Sequence, residues 1–443
     1  MKTRKIIVFA AAALVLSACS SAAPAASSAA GSSAAPAGED VAVKGTYAVE
    51  ITGFDWGCGT TKAIVTLDNA LDSADPANFK VVETKQATDW TAEGFPVIEA
   101  DFERKITGAA LEDGGKTLVL DLYCNPDEGS PFLYTMATGY NTWCDPYYLT
   151  ITMADGAELT SGGAPVKSFE IATDIDITQQ KTSVDQFLTD SYTAEDGTKY
   201  NYGYYEPAEK ADVLFVWLHG AGEGGTEKTD PRVVYLANRA DAFALDEFQQ
   251  KVGGAYVLEP QCPTFWLDET GDGTMTNEHG GSIYTESVTE LINWFKTEKG
   301  CTKVVIAGDS NGGFMTMNLA INHPEIADAW IPICEAYKDE FITDEQIAGL
   351  AKLPMFFVYS LDDTTVDPTV YEQPTIERLQ KAGAANLHVA TTEHVVGYVD
   401  DADPEHEYAG HWSWIYFQNN QSVCNEDNIS AWDWIASTVS GAE

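Results

Sequence analysis

A chain of 443 residues exceeds one ordinary domain and favours two or three. A hydrophobic share of 44% with 11% aromatics excludes a mostly disordered chain. The 68 acidic residues against 25 basic ones leave a formal charge of −43, which repels phosphate backbones and anionic lipid head groups and argues against nucleic acid as a partner.

Lys2, Arg4 and Lys5 precede an apolar run from Ile6 to Leu16 that is too short to span a bilayer, which predicts a secretory signal over residues 1–18. Leu16-Ser17-Ala18-Cys19 then resembles the lipobox of bacterial lipoproteins. The resemblance implies that Cys19 becomes a lipid-modified N-terminus and anchors the protein to a membrane outside the cytoplasm. From Ser20 to about Gly38 nearly every residue is Ser, Ala, Gly or Pro, too little apolar surface to offset the entropy of ordering, so residues 19–42 are expected to form a lipidated flexible tether. Seven further cysteines follow; an odd number leaves at least one unpaired in a monomer, and their spacing fixes no pairing. No CxxC pair or close Cys/His cluster suggests a structural zinc site.

Between residues 43 and 181, short strand-like runs dominate: Tyr47 to Ile51, Lys62 to Leu67, Phe79 to Val82, Thr117 to Leu122, Tyr148 to Met153 and Val166 to Ile171. Gly, Asp, Asn and Pro separate them without a helical period, which predicts an antiparallel β-sandwich. The stretch Val49 to Leu67, with Phe54-Asp55-Trp56-Gly57 leading into an alternating strand, resembles the immunoglobulin-like domain that precedes some bacterial esterases.

From residue 182 to 443 the pattern changes. Phe187 to Thr193 and Tyr200 to Tyr205 flank a hairpin turn at Glu195-Asp196-Gly197. Apolar runs at Val213 to Trp217, Ala255 to Leu258, Lys303 to Ala307, Ala329 to Ile333, Met355 to Tyr359 and Leu387 to Ala390 then alternate with helical stretches. Strands alternating with helices predict an α/β domain, a mostly parallel sheet flanked by helices on both faces. A last helix is expected from Ile429 to about Val439.

Gly308-Asp309-Ser310-Asn311-Gly312 lies directly after one of these strands and before a helix. That is the context of a nucleophile elbow, a turn so tight that small residues flank the serine and its hydroxyl stands above the sheet at a helix N-terminus. Upstream, Leu218-His219-Gly220-Ala221-Gly222-Glu223-Gly224-Gly225 ends another strand. A glycine-rich turn there lets backbone N–H groups face a developing oxyanion, with donors expected at Ala221 and Asn311 and a structural role for His219. The spacing of a phosphate-binding loop is missing from these glycines.

These two motifs, with Glu259-Pro260-Gln261-Cys262-Pro263 and Trp266 between them, resemble the bacterial esterase and putative-peptidase branch of the α/β-hydrolases, related to polyhydroxybutyrate-depolymerase-like and feruloyl-esterase-like enzymes and to prolyl oligopeptidases. Two departures are Asn311, where many relatives carry Met, and Glu223-Gly224, where Glu-Arg is common. The family's order places acid and base after the serine. Gly410-His411-Trp412 fits its Gly-His followed by an aromatic, with His394 and His406 as competing bases and His388 as a packed residue. Asp363-Thr364-Thr365-Val366 fits its Asp, two residues, then Val, against Asp362 and Asp367 as competitors. Trp266, Trp412 and Trp414 are candidates to line an acyl or aryl pocket, with core packing an equal alternative for Trp414.

The implied chemistry is carboxylic-ester hydrolysis through Ser310, His411 and Asp363, needing no metal or organic cofactor. Acylated polysaccharide, aryl esters and polyesters all remain open as substrates. Two rivals stand beside it: a serine peptidase, disfavoured because no propeller repeat guards the site, and a non-catalytic binding lipoprotein, disfavoured because serine, acid and base are all present. Asp268-Glu269-Thr270-Gly271-Asp272-Gly273 resembles the start of a calcium loop but has His279 at the twelfth position, and is expected to be an acidic loop over the site.

Overall fold

The computed structural model describes residues 40–441, so the predicted signal, Cys19 and nearly all of the tether lie outside the described residues. Among the described residues no helix is long and apolar enough to cross a membrane.

The N-terminal half is built of strands. In one sheet, Ala164–Ile171, Val41–Phe54, Gly57–Leu67, Thr117–Leu122 and Ile106–Glu112 lie side by side; in a second, Val97–Arg104, Phe79–Thr88 and Tyr147–Met153 do. Thr117–Leu122 shows why these sequences form sheets: Leu118, Leu120 and Leu122 are buried while the residues between them are partly exposed, the two-residue period of a half-buried strand. Val81 and Leu149 of the second sheet pack into the same apolar cluster as Val49 and Leu120 of the first. Inside it Arg104 meets Glu83 at 3.0 Å, both side chains fully buried, and the Tyr147 hydroxyl donates to Glu83 at 2.7 Å. Breaking such a pair leaves an uncompensated buried charge, at a cost of about 3–5 kcal/mol.

One feature corrects the expectation of a wholly antiparallel sandwich, and two further strands add to it. Val41–Gly45 pairs parallel with Val166–Ile171, so the first strand of the described residues and the return strand share a direction. The strands Val97–Arg104 and Ile106–Glu112 were not anticipated, because much of both is exposed and their sequences lack a buried-face alternation.

The second half holds an eight-stranded sheet whose strands are numbered here within that sheet: β1 Leu188–Thr193, β2 Lys199–Tyr205, β3 Val213–Leu218, β4 Ala255–Gln261, β5 Lys303–Asp309, β6 Ala329–Ile333, β7 Met355–Ser360 and β8 Leu387–Thr392. The spatial order is β1-β2-β4-β3-β5-β6-β7-β8. Antiparallel pairing joins β1, β2 and β4, and every later pair is parallel. Strand β3 is buried along its whole length, which explains its unbroken apolar sequence. Its alternate residues serve two cores: Phe215 and Trp217 join the cluster that also holds the N-terminal sheets, while Leu214, Val216 and Leu218 join a cluster with Phe295 and Phe314 on the other face. The two halves thus share one continuous apolar cluster. The last helix runs Ala431–Ser440, its first turn capped by Ser430, whose hydroxyl accepts the Asp433 N–H at 3.2 Å.

Candidate active site

The C-terminal ends of β3, β5, β6 and β7 converge on Ser310. This residue follows β5 and precedes the helix Asn311–Asn322, with φ +53° and ψ −112°. A non-glycine residue held at positive φ is strained, and such strain persists only where its surroundings impose it. Here the flanking glycines reveal the constraint. A Cβ at Gly312 would lie 1.8 Å from the Leu218 carbonyl oxygen of β3, and one at Gly308 would lie 2.6 Å from the Gly312 carbonyl. The elbow is crushed against β3, and only glycine fits at those two positions.

His411 Nε2 stands 2.9 Å from Ser310 Oγ, and His411 Nδ1 stands 2.7 Å from Asp363 Oδ2. The Asp363 carboxylate is buried in the loop after β7, and its other oxygen accepts the N–H groups of Thr365 at 2.8 Å and Val366 at 2.9 Å. The imidazole therefore donates from Nδ1 to a fixed acceptor and turns Nε2 to the serine. His411 sits in a short turn, Gly410–Trp412, following a small hairpin of Val395–Gly397 and His406–Tyr408.

The competing residues are engaged elsewhere. Asp362 accepts from Ser360 at 2.5 Å and pairs with exposed His394 at 2.7 Å; His406 pairs with Asp403 at 2.7 Å; Asp367 caps its own turn through the Thr369 N–H at 2.9 Å. His388 stacks on Phe356, with centroids 5.8 Å apart. His219 is buried: Nδ1 donates to the Gly220 carbonyl at 2.6 Å and Nε2 accepts the Cys262 N–H at 2.9 Å. Burial holds it neutral by lowering its pKa to about 4. It ties the Gly-rich turn after β3 to the end of β4.

Ala221 opens a short turn, Ala221–Glu223, and Asn311 opens the elbow helix; a first-turn N–H has no intrahelical acceptor. Both residues line one cavity of about 340 Å³ with Ser310. The turn is held from several sides. Gln261 donates to the Glu223 carbonyl at 3.1 Å, which gives the Glu-Pro-Gln-Cys-Pro segment a structural purpose. Beneath it, the Asp309 and Glu223 carboxyls crowd Gly220, and burial raises both pKa values, that of Glu223 to about 7. From the N-terminal half, Asn141 donates to Glu223 Oε1 at 3.2 Å, Tyr140 stacks on Phe265 with centroids 4.9 Å apart, and the Trp143 indole donates to Asp230 at 3.0 Å.

Two expectations need correction. Trp266 is fully buried among Tyr200, His219 and Tyr284 and lines no part of the cleft, because the flat ring fills the space beneath the Gly-rich turn. Trp412 stacks with Tyr408 and Trp414, with centroids 5.6 and 5.9 Å apart, rather than facing the cavity. The loop after Trp266 supplies Leu267, Met275 and Asn277 to the cavity wall instead. Its Asp268 is turned inward, accepting the N–H groups of Gly271 at 2.7 Å and Gly273 at 2.9 Å. Lys338, Phe341 and Tyr371 also line the cavity and were missed, although Lys338 and Phe341 belong to the segment leaving the C-terminal end of β6, where the sheet's other site residues are found. Asn141 carries no local signal, since its partner lies 82 residues away.

No protein-family model matches this chain, and no curated protein matches its sequence. Among solved structures, a crystal structure of a thermostable esterase is similar over 86% of this chain and 96% of its own, with TM-score 0.61 and 20% identity. That share is too large for the α/β half alone and extends into the N-terminal sheets. A ferulic acid esterase, at 15% identity, is similar over 53% of this chain and 95% of its own with TM-score 0.36. The poly(3-hydroxybutyrate) depolymerase LpqC from Bordetella parapertussis, also at 15% identity, is similar over 46% and 83% with TM-score 0.34. The first likeness and the strand order establish an α/β-hydrolase fold for the second half.

Proposed function

We propose that this protein is a serine esterase that hydrolyses carboxylic esters through an acyl-enzyme on Ser310. The observation that carries the reading is the unbroken contact from Ser310 Oγ through His411 to Asp363, at 2.9 and 2.7 Å, on a serine strained above the sheet. In this reading His411 Nε2 takes the hydroxyl proton as Ser310 Oγ attacks the ester carbonyl. The N–H groups of Ala221 and Asn311 receive the oxyanion, and Asp363 holds the Nδ1–H tautomer and stabilises the imidazolium. His411 then returns the proton to the leaving alcohol, and water, activated by the same imidazole, releases the acid.

The N-terminal sequence adds a location: residues 1–18 as a secretory signal and Cys19 as a lipid anchor would place the enzyme on a membrane outside the cytoplasm. The N-terminal sheets are read as an immunoglobulin-like sandwich that braces the catalytic half, a reading supported by the grip of Asn141, Tyr140 and Trp143 on the Gly-rich turn and its neighbours.

The test is a panel of acetyl, longer acyl and aryl esters with peptide amides, run on wild type and Ser310→Ala. Ester turnover is expected in the wild type and a loss on the order of 10⁴- to 10⁶-fold in a folded Ser310→Ala protein. A fluorophosphonate probe should label Ser310. Activity surviving that substitution would overturn the reading.

A further inference from the structure

In a chain this acidic, the cavity beside Ser310 has no carboxylate among the described residues lining it, and the charged residue among them is Lys338. The lysine is not tied up elsewhere. Its ammonium lies 3.7 Å from exposed Glu340, a loose surface pair of little energetic weight, and 5.5 Å from the Phe341 ring. The base of its side chain is nevertheless well anchored. Neighbouring Tyr337 is buried, stacks on Phe314 with centroids 5.2 Å apart, and donates its N–H to Glu335 at 2.6 Å. Phe314 is one helical turn from the nucleophile, its N–H bonded to the Ser310 carbonyl at 2.8 Å. The ammonium is thus carried by backbone held rigidly to the elbow. Glu340 and Asp367 oppose it from the rim, both acting on the cavity-lining Tyr371, while the field of more distant surface carboxylates decays over about 8 Å at physiological salt.

We infer that the ester this cleft accepts carries a carboxylate near the scissile bond, and that Lys338 is its counter-ion. The substrate class is a monoester of a dicarboxylic acid or an ester whose alcohol part is a hydroxy acid. The inference rests on the esterase reading and names the substrate class of the same site.

The experiment compares kcat/KM for matched pairs by pH-stat: monomethyl succinate against methyl butanoate for a charge on the acyl side, and the butanoyl ester of lactate against isopropyl butanoate for a charge on the alcohol side. In at least one pair, Lys338→Gln should lower the charged-to-neutral ratio about tenfold, mainly through KM. Lys338→Glu should lower that ratio further, Lys338→Arg should retain it, and raised salt should shrink the wild-type ratio. A ratio in both pairs that is the same in wild type and Lys338→Gln would overturn the inference. Ser310→Ala in the same assay separates the two claims. If neutral-ester hydrolysis disappears with Ser310 while the ratios ignore Lys338, only the substrate class is wrong; if hydrolysis survives without Ser310, the esterase reading itself fails.

Discussion

Replacing Asp363 by Asn changes one atom yet should reverse the tautomer of the base. One Asp363 oxygen is committed to the Thr365 and Val366 N–H groups, at 2.8 and 2.9 Å, and the other accepts from His411 Nδ1 at 2.7 Å. An asparagine keeps both backbone bonds only by placing its oxygen on that turn, which aims its NH₂ at Nδ1. Nδ1 must then accept, the ring proton moves to Nε2, and Nε2 no longer takes the Ser310 proton. By the precedent of such substitutions in serine hydrolases, kcat should fall on the order of 10⁴-fold, about 5 kcal/mol of transition-state stabilisation, with KM much less affected. Asp362→Asn, whose contacts are Ser360 and exposed His394, should cost less than about tenfold. Steady-state kinetics on the preferred ester measures both. A mild Asp363→Asn beside a crippled Asp362→Asn would refute the argument from the turn.

Three other outcomes are expected. Trp266→Ala should lower unfolding free energy by about 3–5 kcal/mol in urea titrations, because a fully buried indole is lost; a variant of unchanged stability with raised KM would restore Trp266 as a substrate contact. Glu223 has a pKa raised from 4.5 to about 7 by burial, so between those values the folded state binds more protons than the unfolded and stability falls as pH rises. This contribution is fully present below about 4.5 and lost above about 7, up to about 3 kcal/mol, so Glu223→Gln should flatten the loss seen between pH 5 and pH 7.5 in thermal melts; parallel wild-type and variant slopes would contradict it. Cys19→Ala should shift the protein from the membrane to the soluble fraction or leave the signal uncleaved, and mass spectrometry showing no lipid on a wild-type N-terminus cleaved elsewhere would rule out the anchor.

What the sequence made legible follows from how local each signal was. The buried strands of the α/β sheet announce themselves as apolar runs, and Ser310 is named by two glycines that cannot bear a Cβ. Asp363 and His411, which meet Ser310 in space, were separable from neighbouring Asp and His residues only through family spacing. Nothing local distinguishes Asp363 from Asp362 until the Thr365 and Val366 N–H groups are seen to turn one of them inward. Trp266 was misread because an aromatic in a proline-bearing loop looks exposed, whereas this loop folds under the turn it supports. The three-residue strands Phe132–Tyr134 and Asn141–Trp143 were invisible, being too short to show a period, yet the second carries the contact to Glu223.

That contact has a thermodynamic corollary. Because Asn141 and Tyr140 hold the Gly-rich turn and its adjoining segment from across the chain, a ligand that favoured one of two positions of that hairpin would, on the proposed mechanism, be coupled to the Ala221 and Asn311 N–H groups, and by reciprocity an acyl-enzyme on Ser310 would be coupled to the hairpin. The N-terminal half would then report on turnover as well as support it. A fluorophore placed near Tyr134, whose ring faces the same turn, would make that linkage visible as a signal that changes when Ser310 is acylated and recovers on deacylation.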